Sequence, residues 1–168
     1  GSGGLFMGSS GDGGAGGVFQ GSGGNGGAGS DGIMTPAGPP TPASDTLYFP
    51  YHGCQGGPGG YTGGAGVPSP SLPGGAVYLV SETGISVSGA INAGGQGGRF
   101  SNLEPLDGGG GGASGGTILL EAPNIDVSGV LAANGGGGAS GTDGSSTGEN
   151  GTDGTASSTR TPGGGSGV

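Results

Sequence analysis

The stretch GGTILLEAPNIDVSGVLAA at residues 115–133 and the stretch GGAVYLVSETGISVSGAINA at residues 74–93 decide the fold of this chain. Both follow one pattern, GG-x-[VI]-x-L and then I-x-V-S-G-x-[IL]-x-A, and a glycine run comes after each. The two copies are about 40 residues apart, with a slip of one residue between their halves. Self-similarity of this kind is the sequence signature of a repeat architecture.

Apolar residues alternate with their neighbours inside each copy, which is typical of half-buried strands. Ile125 and Val127 fall on one side of such a strand, in a predicted buried seam, and Asp126 falls on the outer side. Gly89 and Gly129 occupy equivalent corners. The breaks between the strands lack an Asn-Gly or Asp-Gly turn, so the pattern favours coils of a parallel β-solenoid, and two hairpins are the alternative.

Glycine accounts for 54 of the 168 residues. Collagen is excluded, because its glycine recurs at every third position without a break. Here the period of three comes in short runs near both ends: Gly8 to Gly17, Gly21 to Gly27, Gly135 to Gly144 and Gly148 to Gly154. A three-residue period fits polyglycine-II-type helices, with Gly138, Gly141 and Gly144 along one packed edge; chance in a glycine-rich chain is the alternative.

These patterns divide the chain into four parts. Residues 1–34 and 135–168 are predicted to be polyglycine-II-like, residues 35–73 to be a loop region rich in proline and aromatics, and residues 74–134 to form two solenoid repeats. No window carries the i, i+3, i+4, i+7 pattern of a helix. The predicted fold class is therefore all-β, with short solenoid coils, packed polyglycine-II-type segments and no α-helix.

The charge excludes several function classes. Two cationic residues and 11 acidic ones give a net charge of −9. Phosphate neutralisation needs many Lys or Arg, so neither nucleic acid nor an anionic membrane surface is an expected partner. No apolar run reaches the ~20 residues of a spanning helix, so no membrane insertion is expected. The chain begins at Gly1 without a visible signal peptide, which suggests a processed secreted product or a segment of a longer polypeptide.

The phrasing of residues 74–95 and 115–138 resembles two groups of proteins. It is similar to secreted β-helices of the filamentous-haemagglutinin type, and more closely to glycine-rich β-solenoid surface proteins of gliding bacteria. The glycine-rich flanks are similar to the polyglycine-II sandwiches of phage tail-fibre tip adhesins and of a springtail antifreeze protein. These resemblances imply a structural or adhesive role and no catalysis.

His52 and Cys54 are the only residues of their kinds. In an extended segment they point to the same side, so a thiolate–imidazole pair is conceivable, but no orienting partner is evident. Two ligands also fall short of a zinc site. A structural loop is the favoured interpretation, and the odd cysteine permits an intermolecular disulfide through Cys54.

Other candidate sites have simpler explanations. Residues 26–34 match the calcium-binding nonapeptide of β-rolls, with Asp31 as the candidate ligand, but a single copy supplies only half a site. The carboxylates of Glu82, Glu121 and Asp126 are explained by a solvated outer face. Asn150-Gly151-Thr152 is an N-glycosylation sequon. We therefore expect no catalytic residue, no resident metal and no cofactor, with calcium as the one candidate ion.

The sequence as a whole predicts a structural, extracellular or cell-surface protein that is not an enzyme and whose main partner is other copies of itself. The alternative is an adhesin that recognises glycans through its loops, with four aromatic residues as stacking groups: Tyr48, Phe49, Tyr51 and Tyr61. Ice binding is a third hypothesis.

Overall fold

The computed structural model of the chain describes residues 6–7, 10–11, 50–59, 69–100, 108–141 and 147–159. Within these residues there is no helix, and the regular structure is all-β, as the sequence predicts. The strands are short: β1 (Phe6–Met7), β2 (Ser10–Gly11), β3 (Ala76–Val80), β4 (Ile85–Val87), β5 (Ala90–Asn92), β6 (Thr117–Glu121), β7 (Ile125–Val127) and β8 (Val130–Ala132). The pair β1·β2 is antiparallel.

The two sequence repeats pair strand for strand in parallel. Ala76 lies opposite Thr117 in β3·β6, so the paired residues are 41 positions apart. In β4·β7 and β5·β8 the offset is 40, as in the pairing of Ile85 with Ile125. The slip of one residue comes from the turn between the strands. The first repeat has four residues in this turn and the second has three, the Ala-Pro-Asn break. In the longer turn, the Oγ of Ser81 accepts hydrogen bonds from the N–H groups of Thr83 and Gly84.

Six glycine-rich segments without strand structure accompany the strands. We number them in chain order: segment 1 (50–59), segment 2 (69–75), segment 3 (93–100), segment 4 (108–116), segment 5 (133–141) and segment 6 (147–155). Strands β3 to β5 join segment 2 to segment 3, and strands β6 to β8 join segment 4 to segment 5. Each sequence repeat is therefore an arch, with two glycine-rich legs and three strands at its tip.

Hydrogen bonds between the segments recur at every third residue. Every third N–H of segment 4 donates to a carbonyl of segment 3, and each accepting residue is three positions earlier than the one before. The bonds are Gly110 to Arg99, Ala113 to Gln96 and Gly116 to Ala93, at 2.8–2.9 Å. The N–H groups one position further along turn to segment 1, with Gly111 donating to Gly57 and Ser114 to Cys54. Segments 1 and 3 therefore both run antiparallel to segment 4, and successive N–H groups of segment 4 donate to different neighbours.

Segment 4 lies at the centre of this bundle. Besides its bonds to segments 1 and 3, it accepts from Gly136 and Ala139 of segment 5 and from Gly74 of segment 2. All residues from 108 to 117 are buried. Segments 3 and 5, which follow equivalent strands, run parallel, with Gly95 donating to Asn134 at 2.9 Å. Segments 1 and 2, which the sequence assigns to a loop region, are thus part of the same hydrogen-bonded body as the repeats.

The apolar core is small and is made of small side chains. Among the described residues the buried apolar ones are Val87, Ala93, Ala113, Ala132 and Ala139. The bundle is held instead by backbone hydrogen bonds between segments that lie too close together for larger side chains. At Gly115, for example, an added Cβ would overlap the carbonyl oxygen of Ala133. The absence of side chains is therefore what allows the segments to pack.

Candidate functional site

The strands of both arches pair with one another, and we call this region the strand end (residues 76–92 and 117–132). Most of the exposed large apolar side chains of the described residues lie there: Tyr78, Leu79, Val80, Ile125, Val127, Val130 and Leu131. The sequence predicts Ile125 and Val127 in a buried seam, yet they are 46 % and 40 % exposed. Val87 of the first repeat, which pairs with Val127, is 8 % exposed. Among the described residues, each of these strands has a hydrogen-bonded neighbour on one side only, so the seam is only partly covered.

The bonds at the two ends of β3·β6 show which backbone groups face outward. The N–H of Thr117 donates to Gly75 at 3.2 Å, and the N–H of Ser81 donates to Glu121 at 2.9 Å. In a parallel pair, the N–H and C=O groups of every second residue point to the same neighbouring strand. Between these two bonds, the backbone groups of β3 and β6 therefore point alternately towards the partner strand and away from it. Ile118 and Leu120 therefore face away from β3. On the other strand, the groups that face away from β6 are those of Ala76, Tyr78 and Val80.

The other two pairs follow the same alternation. The N–H of Ile85 donates to Asn124, and the N–H of Ser128 donates to Val87. The backbone groups of Ser86 therefore face away from β7, and those of Ile125 and Val127 face away from β4. In β5·β8 the outward groups are those of Ala90 and Asn92 on one strand and of Leu131 on the other. We call the outward groups of β3, β4 and β5 the first-repeat edge, and those of β6, β7 and β8 the second-repeat edge. No hydrogen bond among the described residues reaches either edge.

One side-chain bond crosses the two repeats at this end. The hydroxyl of Tyr78 donates to Oε2 of Glu121. This bond, together with desolvation and the nearby carboxylate charge, raises the pKa of Tyr78 above its ordinary value. Asp126, the residue predicted to face outward, is exposed.

The predicted corner glycines are not equivalent in their surroundings. A Cβ on Gly129 would overlap the carbonyl oxygen of Gly89, whereas a Cβ on Gly89 would meet nothing within 4 Å. The second repeat thus lies over the first at the corner, and only Gly129 is required there for close approach.

The glycine edge predicted for segment 5 lies only partly within the described residues. Gly138 and Gly141 are half-buried, and Gly144 lies outside the described residues. Ser140, which the triad would place on an outer edge, is only 6 % exposed: its N–H donates to Glu149, and its Oγ accepts from the N–H of Glu149 at 2.7 Å. Segment 5 hydrogen-bonds with three neighbours, segments 3, 4 and 6, and Ser140 is covered although it lies outside the predicted glycine edge.

His52 and Cys54 are both exposed in segment 1. Nδ1 of His52 lies 2.8 Å from the carbonyl oxygen of Gly53, and the ring is exposed. Cys54 is a free, exposed thiol whose backbone exchanges hydrogen bonds with Ser114. The described residues contain no group of three His, Cys, Asp or Glu that could hold a metal ion. The calcium candidate Asp31 lies outside the described residues.

Of the four aromatic candidates for glycan stacking, only Tyr51 is described, and it is 54 % exposed. Tyr48, Phe49 and Tyr61 lie outside the described residues. Tyr51 is at the start of segment 1, which is antiparallel to segment 4.

Sequence reasoning missed the polar side chains that fasten segment 6 to the bundle. Asn134 donates from Nδ2 to the carbonyl oxygens of Thr155 and Ser157 at 2.8 and 2.6 Å. Asp153 accepts from the N–H of Gly97 at 2.8 Å, and Asn92 donates to the carbonyl of Gly154 at 3.0 Å. These asparagine and aspartate side chains are among those in the described segments that reach a neighbouring backbone, and the sequence shows no spacing that pairs them in advance.

Comparisons with known proteins add no family. No family model matches the chain, and neither a curated protein nor a solved structure matches it. Within the described part of the chain, no helix is long and apolar enough to cross a membrane.

Proposed function

We propose that this chain is a structural, non-catalytic segment of an extracellular filament, matrix or cell-surface fibre, and that it associates with copies of itself through backbone hydrogen bonds. The acidic, lysine-poor composition and the glycine content support a role outside the cell that depends on packing and not on chemistry. The resemblance to glycine-rich surface proteins of gliding bacteria points the same way.

Two coils of a parallel β-solenoid on a bundle of polyglycine-II-type helices are the architecture that we infer for this role. Parallel pairing at offsets of 41 and 40 residues supports the coils. Hydrogen bonds at every third residue support the helices, because extended helices of this type have three residues per turn. A body of this kind resists extension along its segments, since a pull along them loads many hydrogen bonds at once.

The exposed strand end is the observation that carries the proposal. An unpaired strand edge is a template for pairing with another chain. Contiguous exposed apolar side chains mark interaction surfaces in proteins that are otherwise polar. Here both features coincide, since Ile125 and Val127 present outward backbone groups and exposed side chains together.

Sedimentation velocity and electron microscopy of the 168-residue chain test this function. We expect the average mass to rise with concentration from micromolar upward, and elongated particles to appear. A single monomeric species over that whole range would contradict self-association.

The second candidate function is a glycan-binding adhesin, and the exposure of Tyr51 favours it. Tyr48, Phe49 and Tyr61 complete the proposed set of stacking residues, because aromatic faces suit the apolar faces of sugars. A glycan array with the wild-type chain and with Tyr51→Ala tests it. Glycan binding that Tyr51→Ala weakens would support the adhesin, and an array without signal would remove it.

A further inference from the structure

We propose that copies of this chain associate head to tail, with the second-repeat edge of one copy paired to the first-repeat edge of the next in the register that already joins the two repeats within the chain. This inference rests on the proposed function and names the partner surface and its geometry. Ile118 would lie opposite Val77 of the next copy, Ile125 opposite Ile85, and Leu131 opposite Ile91.

The repeat itself supplies the first argument. The two arches are related by a translation, because all three strand pairs are parallel and nearly equal in offset. Within the chain, the first repeat pairs with the second through a row of backbone N–H and C=O groups. The second-repeat edge therefore carries an equivalent row of groups on its outward side. In the proposed register, the outward groups of Ile118 meet those of Ala76 and Tyr78 of the next copy, so donors and acceptors match along the strand.

Exposed apolar surface is the second argument. On the second repeat, Ile125, Val127 and Leu131 are exposed and their backbone groups also face outward. A stacked copy would cover these side chains with its own Ile85, Val87 and Ile91. Within each chain, these three residues are already the pairing partners of Ile125, Val127 and Leu131. The seam that is half-covered in one chain becomes continuous in a stack.

Charge separates this arrangement from a twofold one. Within the chain Asp126 lies opposite Ser86, and Glu121 lies opposite Val80. A head-to-tail stack keeps charged and neutral residues alternating, so equal charges are two strand spacings, about 9.5 Å, apart. A twofold pairing of β7 with its own copy, centred on the strand, would instead set Asp126 directly against Asp126. Like charges in that position repel.

Edge-blocking proline variants of the full chain test the proposal. Ser86→Pro blocks the first-repeat edge and Val127→Pro blocks the second, because each removes an outward N–H that the internal pairs do not use. Asp126→Pro is the matched control: its N–H faces β4, so we expect this variant to lose the β4·β7 pair. A second pair of variants blocks the same two edges at other strands: Ala90→Pro in β5 and Leu131→Pro in β8. This pair is used if Ser86→Pro or Val127→Pro does not fold.

Each blocked variant alone should remain monomeric by sedimentation at concentrations where the wild type associates, with a dissociation constant raised about tenfold or more. A mixture of Ser86→Pro and Val127→Pro should form a one-to-one dimer and stop there, because each copy keeps the edge that the other lacks. Dimers of a single variant would establish a twofold interface and overturn the proposal. Continued polymerisation of both variants would also overturn it and leave self-association standing, whereas a wild type that stays monomeric would overturn both.

Discussion

Tyr78 and Glu121 are joined across the two repeats by a hydrogen bond of 2.5 Å from the phenol to the carboxylate. Tyr78 lies opposite Leu119, so the bond reaches two residues further along β6 and crosses the pair diagonally. The accepting carboxylate favours the protonated phenol, and the pKa of Tyr78 is raised above 10.0 as a result.

Tyr78→Phe should remove a late-titrating tyrosine. Because the folded pKa is raised, the contribution of this group to stability is complete below the unfolded pKa of about 10 and is lost as the pH rises through the folded value. We expect the absorbance titration of phenolate in the wild type to contain a component above pH 10 that Tyr78→Phe lacks. The same late component in both proteins would assign it to another tyrosine.

Gly115→Ala should destabilise the bundle, and Gly75→Ala should not. A Cβ at residue 115 would overlap the Ala133 carbonyl, whereas a Cβ at residue 75 would meet nothing within 4 Å. Forcing the backbones apart costs about 1–3 kcal/mol, a penalty typical of overpacking. Urea unfolding measures the difference, and equal midpoints for the two variants would mean that the segments are not held at this distance.

Ile125→Asp should leave the monomer folded and weaken its association. The side chain is 46 % exposed, so the new carboxylate stays in contact with water and its desolvation cost is small. In a stack the new carboxylate would be covered and would lose its contact with water, which is costly for an unpaired charge. Circular dichroism and sedimentation measure both effects, with Asp126→Ala as the control that keeps both properties. If Ile125→Asp does not fold, the result supports the sequence-based prediction that Ile125 lies in a buried seam.

Asn134→Ala should release the end of segment 6. The amide of Asn134 donates two hydrogen bonds to residues 155 and 157, and each contributes about 1 kcal/mol. Hydrogen exchange of residues 155–159 should become faster, with little change in segment 4. Asn124→Ala, at an exposed position beside β7, is the matched control. Unchanged exchange in Asn134→Ala would show that other contacts hold this segment.

Salt should strengthen association. Copies with a net charge of −9 repel each other, and that repulsion is screened as the Debye length falls from about 30 Å at 0.01 M to about 3 Å at 1 M ionic strength. Sedimentation at the two ionic strengths should show larger species in the higher salt. Weaker association in high salt would point to ion pairs between copies and against an interface of apolar and backbone contacts.

The strands and their pairing could be predicted from the sequence to within a residue or two. Period-two alternation around Ile85 and Ile125 marks each strand, and the repeat of about 40 residues specifies its partner, since a translational repeat brings equivalent strands together. The one-residue slip was also visible, as the turn before Ile85 is longer than the turn before Ile125. The lack of helix among the described residues agrees with the lack of helical periodicity in the sequence.

The packing of the glycine-rich segments was decided only by the tertiary structure. Glycine runs carry almost no side-chain information, so any one run can hydrogen-bond with any other, and the chain topology selects the neighbours. That is why Ser140 is buried although it lies outside the predicted glycine edge, and why segments 1 and 2 belong to the bundle. The exposure of Ile125 was likewise decided by the number of stacked repeats, because alternation identifies which side chains share a face but not whether a neighbour covers it.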